Sequence, residues 1–328
     1  MMVIRLFLDN RVWVLLLLPL VLSLYLISFL FGFDDIYGLN KTTLSIVEPF
    51  LHQLPSAHIL AHFFMLLINA LALNWVFNSY EFLEKNTYII SLLYVIFTSF
   101  FHNWGDPSWL FVAHLCGIFG FGVLFGIKPQ QNAKKQAFNA GFLFGLSLFF
   151  ETSFVLLLPI FLILLLILRG VQIRELLLLT IGYLLPLGFY VSLYFITKGA
   201  LPNLPLPVSS FYRPNWFETT CLAIIVALFG FSLLGLRARL GKASLRLKKQ
   251  TQILTVFMFL CALLGFATLF FWGQPALLSL LVLPFSFYFA YALLSSSLGI
   301  SSHLFFYIIF TFSILKFAVA YYSNLDFY

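Results

Sequence analysis

The chain has 328 residues, of which 62% are hydrophobic and 9% charged, with 43 phenylalanines and a mean hydropathy of +1.04. A soluble domain is nearer half apolar, so this composition excludes one and indicates an all-α, polytopic integral membrane helix bundle. The net charge of +7 follows from topology alone and gives no reason to invoke a nucleic-acid partner.

A helix rising about 1.5 Å per residue needs about 20 apolar residues to cross a hydrocarbon core of about 30 Å. Eleven spans or near-spans follow one another: 13–33, 58–78, 87–102, 109–127, 137–150, 152–168, 175–197, 217–236, 251–272, 276–295 and 303–322. Arg5 and Arg11 precede the first and no small-residue cleavage site follows it, so it reads as a retained anchor.

Where that first span stops, the chain places two adjacent carboxylates, Asp34 and Asp35. They open a loop, 34–57, that also carries a short interfacial helix around 44–54. An acidic pair at a helix mouth can hold a metal, a phosphate-bound metal or a proton; the plainer alternative is a solvated helix end marking the interface. Past the loop, His58 and His62 stand four apart and share one helix face, while His102 and His114 flank the turn 103–107. Neutral imidazole is a common metal ligand, so these four histidines are candidates for a divalent-metal site. No HExxH pattern is present, and histidine near a headgroup zone is also ordinary. Asn69, Asn74 and Asn78 read as interhelical hydrogen-bonding residues.

Residues 137–168 are too many for one crossing and few for two. A single crossing would invert the chain beyond it and place the basic residues between Arg237 and Lys249 outside, whereas two short crossings keep the parity. The break is predicted at Glu151, the most buried-looking acid. Irregular backbone at membrane depth needs cover from protein or water, and a water-filled cavity opening outward is the expectation here. Glu151 then either serves that cavity or caps the turn.

The second outer loop, 198–216, contains Pro202, Pro205, Pro207 and Pro214 and is predicted to be extended. The inner loop, 236–250, interleaves Arg237, Arg239, Lys242, Arg246, Lys248 and Lys249 with leucines, a pattern suited to anionic lipid headgroups. With the N-terminus cytoplasmic, 14 of the 18 basic residues fall inside and three, Lys41, Lys198 and Arg213, fall outside; Lys316 lies within the last span. Cys116, Cys221 and Cys261 form no CxxC pair, so no disulfide framework or thiol chemistry is indicated.

A first helix, an outer loop opening on Asp34 and Asp35, and short helices with the run Ala140-Gly141-Phe142-Leu143-Phe144-Gly145-Leu146 together resemble the membrane module of GT-C glycosyltransferases. A second cue is 154–168 followed by Arg169, Arg174, Glu175 and the stretch Tyr183-Leu184-Leu185-Pro186-Leu187. The resemblance covers roughly residues 1–200, leaving 201–328 as additional transmembrane helices. The chain also resembles small polytopic membrane proteins of Bacteroidota whose family has no established activity. The GT-C resemblance implies a polyprenyl-phosphate-linked sugar as donor at the outer face of the inner membrane. It carries the role of base or metal ligand to Asp34 and Asp35. Glu151 joins them as a catalytic candidate of the outer cavity, and Lys198 and Arg213 are candidates for the lipid phosphate. The chain departs from the family in its short first outer loop and in lacking a soluble outer domain.

Two other readings stay open. A non-catalytic subunit scaffolding a larger cell-envelope complex predicts a closed bundle and an apolar interface with another chain. A transporter predicts a polar path at the midplane, where the sequence carries almost no charge.

Overall fold

In hydrocarbon every backbone N–H and C=O must be satisfied within its own segment, so long apolar runs coil into helices. The computed structural model describes residues 2–8, 12–30, 58–83, 85–101, 109–128, 132–202, 212–214, 216–240, 244–294 and 298–325, and no strand occurs among them. Its helices are α1 (Met2–Leu8), α2 (Leu17–Leu30), α3 (His58–Ser79), α4 (Ile89–Thr98), α5 (Leu110–Phe125), α6 (Lys134–Phe150) and α7 (Leu157–Arg169). They continue with α8 (Ile173–Lys198), α9 (Trp216–Leu240), α10 (Leu245–Trp272), α11 (Ala276–Ser279), α12 (Val282–Leu294) and α13 (Gly299–Leu325). Among the described residues six segments are long and apolar enough to cross a membrane: Ala61–Ser79, Thr152–Arg169, Ile173–Lys198, Glu218–Arg237, Leu245–Trp272 and Ala276–Leu294. The protein is therefore a helical membrane protein.

Proline marks where several helices begin. Pro19, Pro159 and Pro284 each stand third in their helix, where the backbone N–H has no intrahelical acceptor to lose. Tight 3₁₀ turns, Val12–Leu16 and Thr152–Leu156, lead into the first two. At the other ends, Gly199 and Gly273 adopt the left-handed conformation that closes α8 and α10, with φ of 67° and 65°.

The break predicted at Glu151 is observed. Chain direction is fixed by a cluster at the basic end of the bundle. Glu175, in the first turn of α8, accepts from Arg169 Nε at 3.0 Å and Nη2 at 2.9 Å and from the backbone N–H of Ala133 at 3.2 Å. Arg169 Nη1 also donates to the Lys128 carbonyl at 3.0 Å, and Lys249 Nζ to that of Leu168 at 2.8 Å. The start of α6 and the end of α7 thus meet at one place. The chain leaves it along α6, reverses at Glu151, and returns along α7.

α6 and α8 run parallel and meet almost backbone to backbone. A Cβ on Gly141 would strike the Leu179 carbonyl, and one on Gly145 that of Tyr183. This is a small-xxx-small contact of the kind that lets membrane helices approach closely. It gives the glycine-rich run a packing role.

α12 is the hub. The segment Ala276–Leu294 is 94% buried, whereas Ile173–Lys198 is only 22% buried; a helix apolar on every side belongs at the centre. α12 packs on α4 and α9, and α10 packs on α7, so helices from 1–200 and 201–328 share one core. Phenylalanine fills it. Phe77 packs against Phe82 and Phe287 at 5.4 and 4.8 Å, and Phe121 against Phe144, Phe161 and Phe257 at 5.7, 5.5 and 4.4 Å.

Candidate functional site

Away from the basic end the bundle collects buried polar side chains. The first is Glu151. Its extended backbone ends α6, its carboxylate Oε1 accepts from the Ser153 N–H at 3.1 Å, and its own N–H donates to the Ser147 carbonyl at 3.0 Å. The residue caps the 3₁₀ turn that follows, as Asp, Asn, Ser and Thr do elsewhere. Glu151, Thr152, Ser153 and Phe154 are all buried. Of the two conditions that permit irregular backbone at this depth, protein cover is the one met, and the expected water-filled opening at Glu151 is replaced by packing.

Beside this turn lies a hydrogen-bonded chain that ties three helices together. Tyr94 Oη on α4 lies 3.1 Å from His114 Nδ1 on α5, and His114 Nε2 lies 2.7 Å from Ser279 Oγ on α11. Ser279 Oγ donates to the Ala276 carbonyl at 2.5 Å. With that proton committed, Ser279 accepts from Nε2–H and Tyr94 donates to Nδ1. The pattern assigns a neutral imidazole protonated at Nε2. The His114 ring stacks on Phe154 at 6.5 Å and 16°, and the Tyr183 hydroxyl donates to the Phe154 carbonyl at 2.6 Å. Glu151, three residues before Phe154, therefore adjoins the His114 network.

The four metal-candidate histidines fare differently. Both ring nitrogens of His114 take part in hydrogen bonds, so it is a satisfied core histidine. His62 is buried with its ring edge-on to Phe111 at 4.5 Å, and Phe111 also meets His114 edge-on at 6.0 Å. The Phe111 ring thus contacts both imidazoles. His102 and the side chain of His58 lie outside the described residues, and among the described residues no three His, Cys, Asp or Glu side chains gather. Of the asparagines, Asn69 Nδ2 donates to the Phe111 carbonyl at 2.8 Å and Asn78 Nδ2 to the Thr87 carbonyl at 3.0 Å. The first crosses between helices, as their polar character predicts.

Asp34 and Asp35 lie outside the described residues. Lys198, last residue of α8, and Arg213 are exposed, and no described contact joins either to Glu151. A cation that the sequence reading passed over is more deeply placed. Lys316 on α13 is fully buried; its ammonium donates to the Ser99 carbonyl and lies 5.2 Å from the centroid of the Phe100 ring. On α9, Cys221 is close enough to feel both Lys316 and Glu218 electrostatically. Tyr212 joins this side of the bundle through its N–H, which donates to the Phe270 carbonyl at 3.1 Å. Burial pushes the Tyr212 hydroxyl far up from its ordinary range, and its hydrogen bond to the Glu218 carboxylate pushes it further. The signal for Lys316 was present in the sequence, a lone basic residue inside an apolar span.

No protein-family model, curated protein or solved structure matches the chain.

Proposed function

We propose that the chain crosses the inner membrane eleven times with its basic loops cytoplasmic, and that it is a GT-C-like transferase using a polyprenyl-phosphate-linked sugar at the opposite face. The observation that carries this reading is Glu151, a carboxylate enclosed by protein at an irregular turn, on the side of the bundle away from the basic cluster. Carboxylates are the groups this chemistry needs. An acceptor hydroxyl oxygen attacks the anomeric carbon, the bond from that carbon to the phosphate oxygen breaks, and the phosphate leaves with the electron pair. The hydroxyl proton goes to a carboxylate, the role given to Asp34 or Asp35, with Glu151, enclosed by protein, acting on the site by its charge and not by contact with the acceptor.

The test is transfer of sugar from an isoprenyl-phosphate donor in proteoliposomes. Asp34→Asn/Asp35→Asn keeps shape and removes charge, and is expected to lower the rate by about 10² to 10⁴ while the protein stays folded. Turnover equal to wild type in that variant sinks the transferase reading.

A second reading, the scaffold subunit, is favoured by α8. Beyond Pro186 none of its residues from Leu187 to Lys198 is buried, leaving about three helical turns free to meet another membrane chain. Under that reading the double Asn variant behaves as wild type, and Phe189→Ala or Leu193→Ala releases a co-purifying partner.

A further inference from the structure

At the basic end of the bundle one enclosed amide is left unpaired. Gln250, in the second turn of α10, is 5% exposed, and among the described residues neither its Nε2 nor its Oε1 has a hydrogen-bond partner. An amide buried without partners is costly, and a ligand that supplies them recovers that cost.

The register of three helices shows where Gln250 points. α5, α7 and α10 meet at Phe121, Phe161 and Phe257, whose ring centroids lie 4.4 to 6.0 Å apart. Two helical turns nearer the basic end stand Leu168 on α7 and Gln250 on α10, while the chain leaving α5 reaches Lys128. Two hydrogen bonds fix that register: Lys249 Nζ donates to the Leu168 carbonyl at 2.8 Å, and Arg169 Nη1 to the Lys128 carbonyl at 3.0 Å. Gln250 thus faces the mouth where α5 and α7 end. Helical side chains lean toward their own N-terminus, so the amide is directed out toward that mouth.

The rim is cationic. Among the described residues the carboxylates at this end, Glu175 and Glu81, are paired with Arg169 and Arg246, which leaves Lys128, Lys248 and Lys249 in excess. An ammonium carries three protons, so Lys249 can serve the Leu168 carbonyl and an anion together. A buried donor and acceptor beneath surplus cations complement a phosphodiester that also bears a hydroxyl: its oxygens accept from Lys249 and Gln250 Nε2, and its hydroxyl donates to Gln250 Oε1. At the edge of a bilayer such a group arrives on a phospholipid.

We infer that the mouth between α5, α7 and α10 binds an anionic phospholipid with a glycerol headgroup, Lys249 taking the phosphate and Gln250 both phosphate and hydroxyl. Binding there is independent of any sugar transfer at the other end of the bundle.

The experiment uses purified full-length protein in phosphatidylcholine nanodiscs doped with phosphatidylglycerol or with phosphatidylmethanol, which has the same charge and no hydroxyl; bound lipid is counted by native mass spectrometry. Wild type is expected to favour phosphatidylglycerol over phosphatidylcholine by about tenfold and over phosphatidylmethanol by about threefold, the scale of one charged and one neutral hydrogen bond. Gln250→Leu abolishes the second preference, Lys249→Met lowers binding of both anionic lipids, and the exposed Lys135→Met binds as wild type. Because Gln250→Leu removes an unpaired polar group, it is expected to fold and to melt no lower than wild type in phosphatidylcholine alone; Gln250→Met replaces it if it is not recovered. Equal binding of phosphatidylglycerol and phosphatidylmethanol by wild type, or an unchanged preference in the Gln250 variant, overturns the assignment. Displacement of phosphatidylglycerol by millimolar free glycerol phosphate makes the ligand a soluble ester and overturns the lipid as its source.

Discussion

A single buried side chain can be a structural necessity or a chemical tool; Glu151 is the first in this bundle, as the cap of a turn, and the proposed transferase reading makes it the second. As a cap it supplies one acceptor to the Ser153 N–H, a function an amide oxygen performs equally well. Glu151→Gln is therefore expected to keep the thermal midpoint, with a change within about 1 kcal/mol, and to lower donor turnover by at least tenfold. Thermal melting and the proteoliposome assay on one preparation separate the two roles; a stabler variant with full turnover makes Glu151 a tolerated polar defect. The sequence placed this residue correctly because parity forced a break within 137–168 and only one acid stood there. Its enclosure was not legible, since cover comes from residues far along the chain. Lys316 shows the same limit from the other side: its position in a span was plain, but its contacts with Ser99 and Phe100 join parts of the chain more than 200 positions apart.

At the scale of helices, the close approach of α6 and α8 sets the clearest test. Gly145→Leu drives a side chain into the Tyr183 carbonyl and is expected to destabilise by about 1–3 kcal/mol or more, as overpacking does. Gly188→Ala sits on the same α8 with open space around it and is expected to be neutral or to gain about 0.5–1 kcal/mol from helix propensity. Thermal unfolding in matched detergent distinguishes them; equal behaviour would mean that α6 and α8 do not touch there. At the basic end, Glu175→Ala removes the acceptor shared by Arg169 and Ala133. Breaking one side of a largely buried pair costs more than losing a surface pair, about 3 kcal/mol, and the same melts record it. Hydropathy located nearly every helix because apolar length is a local property. It missed the glycine contact, which depends on two helices meeting, and it joined α11 to α12, which a turn at Leu280 and Leu281 separates.

The whole molecule divides into two ends. Basic residues and their partners gather at one, where Arg169, Glu175, Lys128 and Lys249 meet, and Arg246 pairs with Glu81 at 3.6 Å. Glu151, the His114 network and Lys316 lie away from it. Charge asymmetry made the two ends legible in the sequence, since Lys and Arg report sidedness directly. The number of crossings is less direct: among the described residues six segments meet the length and apolarity of a span, while α4 and α5, of 10 and 16 residues, are shorter and need local thinning of the bilayer to cross. Everything proposed for Asp34, Asp35 and Glu151 requires that the two ends face opposite sides of the membrane. In a background lacking Cys116, Cys221 and Cys261, single cysteines are introduced as Ala200→Cys, just beyond α8, and Ser244→Cys, which caps α10. An impermeant maleimide added to intact cells is expected to label the Ala200→Cys protein and to reach the Ser244→Cys protein only after the membrane is opened. Labelling of Ser244→Cys in intact cells, or equal labelling of both, would contradict the two-sided arrangement.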